Sequence, residues 1–396
     1  MNFDLDDSAP GFRREVANFL DDYVTPDLVA RCRRTGTMHD WSLHREMGRR
    51  GWYAGGWPSE YGGRGEEGSV ELLVLSDEME KRGIPADGLG MTMMVARVIL
   101  HTASEELKRD VLPRALAGDI LICLGYTESH GGSDVASART SASRDGDHWT
   151  INGHKMFTTL AHEAHHVFLL TRTNPEVPKH RGLTMFLVPM DTPGVEVQPI
   201  WTIGDVRTNS TYYRDVVVPD SARVGGVDEG WSVMTLALRY ERTGGGADAR
   251  LLDTAIAAAR VHAGRDGSHC LLEDSSVRER LARIAVEREV AALLRLRSQW
   301  VEAQGSTSMI EGSMFKLFSA ETQVRAAGDL LDMFGPAGIL EQGVLAAPAN
   351  GELAHEFRHS IVLPIYGGSS EVQRRIIAER GLGLPRSGRS PTRGSV

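Results

Sequence analysis

Apolar side chains recur every three or four residues through the first part of the chain. Phe12, Val16, Phe19 and Leu20 follow this spacing, as do Leu72, Leu73, Leu75 and Met79, and it is the period of an amphipathic helix. Gly62-Gly63 and Gly118-Asp119 interrupt it as turns. An all-helical region over residues 1–119 is expected. From Ile120 the texture changes to short β-branched and aromatic runs: His148 to Ile151, Val167 to Thr171, Thr184 to Val188 and Tyr212 to Val218. Asp145-Gly146, Asn152-Gly153, Pro193-Gly194 and Pro219-Asp220 lie between them and suit tight turns and hairpins. A small β-domain is expected over 120–226. Helical periodicity returns after Gly230, in Trp231 to Tyr240, Ser276 to Gln304 and Phe315 to Phe334. Long helices of this kind pack as a bundle, here a four-helix bundle over 227–384. Residues 385–396, PRSGRSPTRGSV, have nothing to bury and read as a disordered tail. The fold class is α+β.

Composition narrows the function. A chain of 396 residues with 41% hydrophobic and 24% charged residues is that of a globular protein with ample core. Its net charge of -9 and its lack of a basic run argue against a nucleic-acid surface. The acidic start lacks the basic and apolar segments of a secretory signal, and no apolar run is long enough to span a bilayer, so a cytoplasmic protein with no membrane partner is expected. Cys32, Cys123 and Cys270 are too scattered for a disulfide framework or a CxxC knuckle and read as buried thiols. His162 to His166 spells H-E-x-x-H. That motif binds zinc when a helix puts both histidines on one face, and the space before the strand-like VFLLTRT is too short for such a helix. An exposed polar loop is expected there, and no metal.

Four further segments carry chemistry. Tyr126 to Thr140 reads YTESHGGSDVASART and Asn152 to Thr159 reads NGHKMFTT. Gly230 to Thr243 reads GWSVMTLALRYERT, and Leu363 to Arg386 reads LPIYGGSSEVQRRIIAERGLGLPR. Together with GWYAGGWPSEYGG at Gly51 to Gly63, and in this order, they resemble the flavin-dependent acyl-CoA dehydrogenases over nearly the whole chain. The resemblance implies an N-terminal helical domain, a middle β-barrel-like domain, a C-terminal four-helix bundle and an FAD cofactor. Thr127 and Ser133 then face the flavin or the acyl-CoA, Phe157 packs on the flavin, and the Thr159 hydroxyl reaches flavin N5. Phe157 stands where the family usually has tryptophan and keeps a flat apolar surface.

In many members of the family a glutamate follows the late tyrosine and removes the proton next to the thioester carbonyl. Here Gly367 follows Tyr366. The branch with glycine at that point carries its base on a mid-chain helix just before an arginine, which matches Glu241 and Arg242. Gly367 can still donate its backbone N–H to the thioester oxygen, and its missing side chain clears space for a branched, cyclic or steroid-like acyl group. Gly244, Gly245 and Gly246 follow, either breaking the helix or allowing a close approach. Ser369, Glu371 and Gln373 match the end of the flavin-contacting YxGTxxxQ-like run. Arg265 matches the arginine that reaches the flavin diphosphate across a dimer interface, but Asp266 replaces the family's phenylalanine, and Asp332 to Gly338, DMFGPAG, departs from QxxGGxG.

These departures suit a heterotetramer with a related subunit as well as a homotetramer or dimer. The expected activity is α,β-dehydrogenation of an acyl-CoA to a trans-2-enoyl-CoA, with an electron-transferring flavoprotein as acceptor. The alternatives are a flavin-dependent monooxygenase of the same fold, or a non-catalytic partner subunit of a hetero-oligomeric acyl-CoA dehydrogenase.

Overall fold

The computed structural model describes residues 9–65, 69–241, 249–264, 267, 269–303 and 309–385. The chain divides into two compact units, Met1–Glu241 and Arg242–Val396. The first begins with helices α1 (Pro10–Tyr23), α2 (Pro26–Thr35), α3 (Trp41–Arg49), α4 (Ser69–Arg82), α5 (Asp87–Thr102) and α6 (Glu105–Leu116). Thr25, Asp40 and Ser104 start α2, α3 and α6 by accepting the N–H of Leu28, Leu43 and Leu107. Each such cap contributes about 1 kcal/mol.

Strands β1 (Ile122–Gly125), β2 (Ser141–Asp145), β3 (His148–Lys155), β4 (His166–Arg172), β5 (Leu183–Pro189), β6 (Val195–Trp201), β7 (Arg207–Pro219) and β8 (Arg223–Val224) follow, then α7 (Gly230–Glu241). The sheet runs β6-β7-β3-β2-β4-β5-β8, with β1 parallel beside β4. β4 and β5 are buried along all but their last residues and apolar at their centres, because both their faces are covered. Phe168, Leu170, Met185 and Leu187 pack into a core with Val95, Ile99 and Leu112 of the helices. Val167, Leu169, Phe186 and Val188 pack on the other face with Trp149, Ile151 and Tyr213. Helices and sheet therefore share one interior. Val233, Met234 and Ala237 of α7 join the same core, so the compact boundary falls after α7.

One turn expectation is overturned. Asp145-Gly146 opens the β2–β3 connection, but Asn152-Gly153 lies inside β3 at a bulge, where the pairing with β7 shifts register. Asn152 Nδ2 donates to Asp215 Oδ1 at 3.0 Å, and its Oδ1 accepts the Asp215 N–H at 2.9 Å. A Cβ on Gly153 would meet Thr140 Oγ1 at 2.5 Å and Thr140 Cα at 2.6 Å. The Asn-Gly pair serves a bulge and a close approach to the segment that enters the neighbouring strand β2, a known alternative use of glycine within a strand.

The second unit holds α8 (Ala249–Val261), α9 (Ser275–Ala303), α10 (Ile310–Met333), α11 (Glu352–Ser360) and α12 (Ser370–Ile376), the last continuing as a π-helical turn over Ile377–Gly381. α10 packs against α9, α11 and α12. Leu251, Leu252 and Ala255 of α8 meet Leu281, Ile284, Leu330, Met333 and Leu353 in its core. Cys32 and Cys123 are buried as expected, whereas Cys270 is half-buried and lies 3.5 Å from Glu273 Oε1. The tail from 386 onward lies outside the described residues. Among the described residues no helix is long and apolar enough to cross a membrane.

Candidate active site

In the first unit, the segment after β1 and the end of β3 are tied together by a buried ion pair that sequence reasoning missed. Lys155 is fully buried, and its Nζ donates to Glu128 Oε1 at 2.7 Å and to the Tyr126 carbonyl at 3.3 Å. Glu128 also accepts the N–H groups of Arg139 at 2.8 Å and Thr140 at 2.9 Å. Burial pushes the Glu128 carboxyl up, but the Lys155 charge and hydrogen bond and the two backbone donors outweigh it and hold the group at about 2. Burial pulls Lys155 down to about 8, offset in part by Glu128. Both groups are ionised at neutral pH. Each charge stood inside a quoted motif, Glu128 next to Thr127 and Lys155 two residues before Phe157; opposite charges in two apolar-flanked segments were the available signal.

The pair brackets the residues that the resemblance assigns to the cofactor. Met156 N–H donates to the Thr127 carbonyl at 2.9 Å, joining the two segments directly. Phe157 has a φ of +57° and is 57% exposed. A positive φ on an aromatic residue costs on the order of 1–3 kcal/mol and persists where the surroundings over-determine it. They do so here: Thr158 N–H donates to the Asn209 carbonyl at 2.8 Å, Asn209 Nδ2 donates to the Thr158 carbonyl at 3.0 Å, and Thr158 Oγ1 lies 3.2 Å from Thr211 Oγ1. Thr159 Oγ1 lies 3.1 Å from Thr208 Oγ1, Thr127 is half-buried and Ser133 is exposed. An aromatic face turned outward beside several hydroxyls fits a flat heteroaromatic ring with polar edges, such as a flavin.

His162 to His166 is not the exposed polar loop expected. Asn209 Nδ2 meets His162 Nδ1 at 3.1 Å, leaving Nε2 to face Thr37 Oγ1 at 2.7 Å. Glu163 Oε2 accepts the Trp41 indole N–H at 2.9 Å, and His166 is buried at the start of β4. The segment is a polar strut between the sheet and the α2–α3 connection, because partners for its side chains stand on the helical layer. A second H-E-x-x-H, overlooked in the sequence, runs from His355 to His359 on α11, with the two rings stacked 6.1 Å apart and 4° from parallel. Among the described residues no group of three His, Cys, Asp or Glu side chains is placed to hold a metal ion.

In the second unit, Tyr366 to Gln373 forms a glycine turn leading into α12. Gly367 and Gly368 have φ of +63° and +84°, a conformation that favours glycine. The Ser370 N–H donates to the Pro364 carbonyl at 2.9 Å and closes the turn. Ser369 caps α12 through the Val372 N–H. The exposed Glu371 carboxyl is held below its ordinary value by its own backbone N–H and by Ser369. Tyr366 is half-exposed, with the Lys316 ammonium 3.9 Å from its ring centroid, a cation–π contact. Gln373, expected at the cofactor, is fully buried and donates its Nε2 to the Gly367 and Gly368 carbonyls, both at 3.0 Å.

The backbone of Glu241 ends α7. The Glu241 side chain, Arg242, Gly244 to Gly246 and Arg265 lie outside the described residues.

Helices, then a sheet with an aromatic and hydroxyl-bearing seat, then a helical bundle with a glycine turn is the order in which three domain profiles match the chain. Acyl-CoA dehydrogenase, N-terminal domain, matches residues 7–119; the middle domain matches 123–216; and the C-terminal domain matches 228–382. The chain therefore belongs to the acyl-CoA dehydrogenase family, a family of flavoprotein oxidoreductases whose members bind FAD. It is 35% identical over 391 residues to acyl-CoA dehydrogenase FadE26 of Mycobacterium tuberculosis, covering 95% of this chain and 97% of that protein. Among solved structures it resembles the Tcur3481-Tcur3483 steroid ACAD, with TM-score 0.87, 32% identity and coverage of 98% of this chain and 100% of that one. It also resembles the ChsE4-ChsE5 complex from Mycobacterium tuberculosis, with TM-score 0.85, 33% identity and coverage of 98% and 100%.

Proposed function

We propose that this chain is an FAD-dependent acyl-CoA dehydrogenase that converts a bulky acyl-CoA thioester into its trans-2-enoyl thioester. When bound, FAD supplies the two-electron acceptor for the hydride that leaves the β-carbon. Glu241 takes the α-proton, a role it can fill because Gly367 has no carboxylate to offer. The Gly367 N–H donates to the thioester oxygen and stabilises the negative charge that develops there as the proton leaves. Phe157 packs on the flavin ring, Thr127, Ser133 and Thr159 hydrogen-bond it, and Ser369, Glu371 and Arg265 contact the rest of the cofactor. Tyr366 and Arg242 border the substrate. An electron-transferring flavoprotein reoxidises the enzyme.

The observation that carries this reading is the Gly367-Gly368 turn. Both residues adopt positive φ, and among the described residues neither N–H has a protein acceptor. Similarity to a structure named as a steroid enzyme supports a polycyclic acyl group, and similarity to two-protein complexes supports assembly with a related subunit.

The test is flavin content and anaerobic bleaching. The purified protein, alone or with its partner subunit, should carry FAD, and a steroid-like acyl-CoA should bleach it faster than a short straight-chain one. Glu241→Gln should keep the flavin and lose the bleaching. A protein without flavin under both conditions, or bleaching that survives Glu241→Gln, would sink the proposal.

A further inference from the structure

The buried amide of Gln373 is tied to the one turn on which the proposed reaction depends. Its Nε2 gives both hydrogens to consecutive carbonyls, Gly367 O and Gly368 O, at 3.0 Å each. In a trans peptide the carbonyl and the following N–H point in opposite directions. Drawing those two carbonyls inward therefore turns the N–H groups of Gly368 and Ser369 outward, away from Gln373. It also fixes the peptide plane on the C-terminal side of Gly367. On the N-terminal side, the Tyr366 N–H is held by the Val362 carbonyl at 3.3 Å. The peptide unit that carries the Gly367 N–H, between Tyr366 and Gly367, thus lies between two anchored units, which limits the directions that N–H can take.

The fit around Gln373 is close. A Cβ on Gly368 would come within 2.7 Å of Gln373 Nε2, so the amide approaches as nearly as it does because residue 368 is glycine. The other amide atom, Oε1, is buried without a hydrogen-bond partner. A buried polar atom left unpaired opposes folding. The side chain keeps this arrangement where a well-packed apolar residue would avoid the penalty, which points to a use for its two donated bonds.

We infer that Gln373 is a positioning residue for the thioester: it aims the Gly367 to Ser369 amides so that they form the donor site for the carbonyl oxygen. This rests on the acyl-CoA reading above. The chemistry recognised is a carbonyl oxygen that gains negative charge during proton abstraction, and a preorganised set of N–H groups suits that charge because it need not reorient at the moment of reaction.

The test uses the flavin-loaded enzyme and a chromophoric cinnamoyl-CoA thioester whose absorption moves to the red when its carbonyl is polarised. Wild type should give the red shift. Gln373→Met, which keeps the bulk and removes the donors, should lose most of the shift and about 10²-fold in kcat, with KM changed far less. Its thermal midpoint and flavin content report whether the fold survives. Gln373→Glu gives an independent readout, because a buried carboxyl has a raised pKa and donates once protonated. Its red shift should return as pH falls, a response that a purely structural role would not produce.

Wild type without any shift overturns the acyl-CoA reading and the inference with it. A wild-type shift that Gln373→Met reproduces in full, or a Gln373→Glu shift that ignores pH, overturns the inference alone.

Discussion

Replacing Lys155 by methionine would leave Glu128 buried with its charge partner gone. At wild type the pair is shielded from water, with Lys155 fully buried and Glu128 nearly so, and the charges meet at 2.7 Å. Removing one partner of such a pair costs about 3–5 kcal/mol, because the remaining charge must stay unpaired or take up a proton. Proton linkage gives the direction for each partner: the Glu128 carboxyl is held at about 2 against an unperturbed 4.5, which favours its charged form in the folded state, whereas burial pulls Lys155 down to about 8 and works against the pair.

For a carboxyl depressed in the folded state, this stabilisation is complete above the unfolded value and disappears as pH falls from about 4.5 towards about 2. Two assays follow. Denaturant unfolding at pH 7, read by tryptophan fluorescence, should place Lys155→Met and Glu128→Gln about 3–5 kcal/mol below wild type. Six of the seven tryptophans lie in the first compact unit, so the signal reports mainly on it. The double variant should lose less than the sum, since the charges leave together. In the second assay the acid-side loss of stability should shrink in Glu128→Gln. Single variants costing under about 1 kcal/mol, or a double variant with fully additive losses, would show that the pair is not coupled as its geometry indicates.

Two other outcomes are expected. Phe157→Ala removes a ring that is 57% exposed, so unfolding stability should stay within about 0.5 kcal/mol while the FAD dissociation constant, measured by fluorescence titration, rises several-fold; unchanged FAD affinity would remove Phe157 from the cofactor seat. His39 and His44 are kept neutral by burial, which pulls them from 6.5 down to about 4 and about 3. The unfolded chain takes up these protons first, so stability should fall as pH drops below about 6.5 and flatten only near pH 3, and His44→Phe should make that fall shallower in thermal melts across the range.

The order of the elements was readable because it rests on local periodicity. α1, α9 and α10, and the apolar strands β4 and β5, begin and end close to where the hydrophobic pattern places them. The C-terminal domain profile begins at residue 228, so α7 falls within its range, yet Val233, Met234 and Ala237 pack into the first core, a destination that the apolar face of the helix alone does not reveal. The Asn-Gly signal failed for a related reason. It marks a position where the backbone needs freedom, and whether that freedom serves a reversal or a close approach depends on Thr140, which enters the paired strand and packs against Gly153.

The candidate site divides along the same line. Phe157, Thr159, Tyr366, Gly367 and Gln373 were singled out by the resemblance of the motifs that hold them, and for Gln373 the motif did not show that its amide binds the Gly367 and Gly368 carbonyls. Glu128 and Lys155 were not singled out, because each acts through a partner that only the folded chain supplies. The two H-E-x-x-H stretches make the same point with identical letters. His162 to His166 spans a turn whose polar groups are taken up by Thr37, Trp41 and Asn209, whereas His355 and His359 share one face of α11 with parallel rings. Geometry separates them, and helix geometry alone does not make a metal site of the second, because among the described residues nothing supplies the third ligand that a zinc site requires.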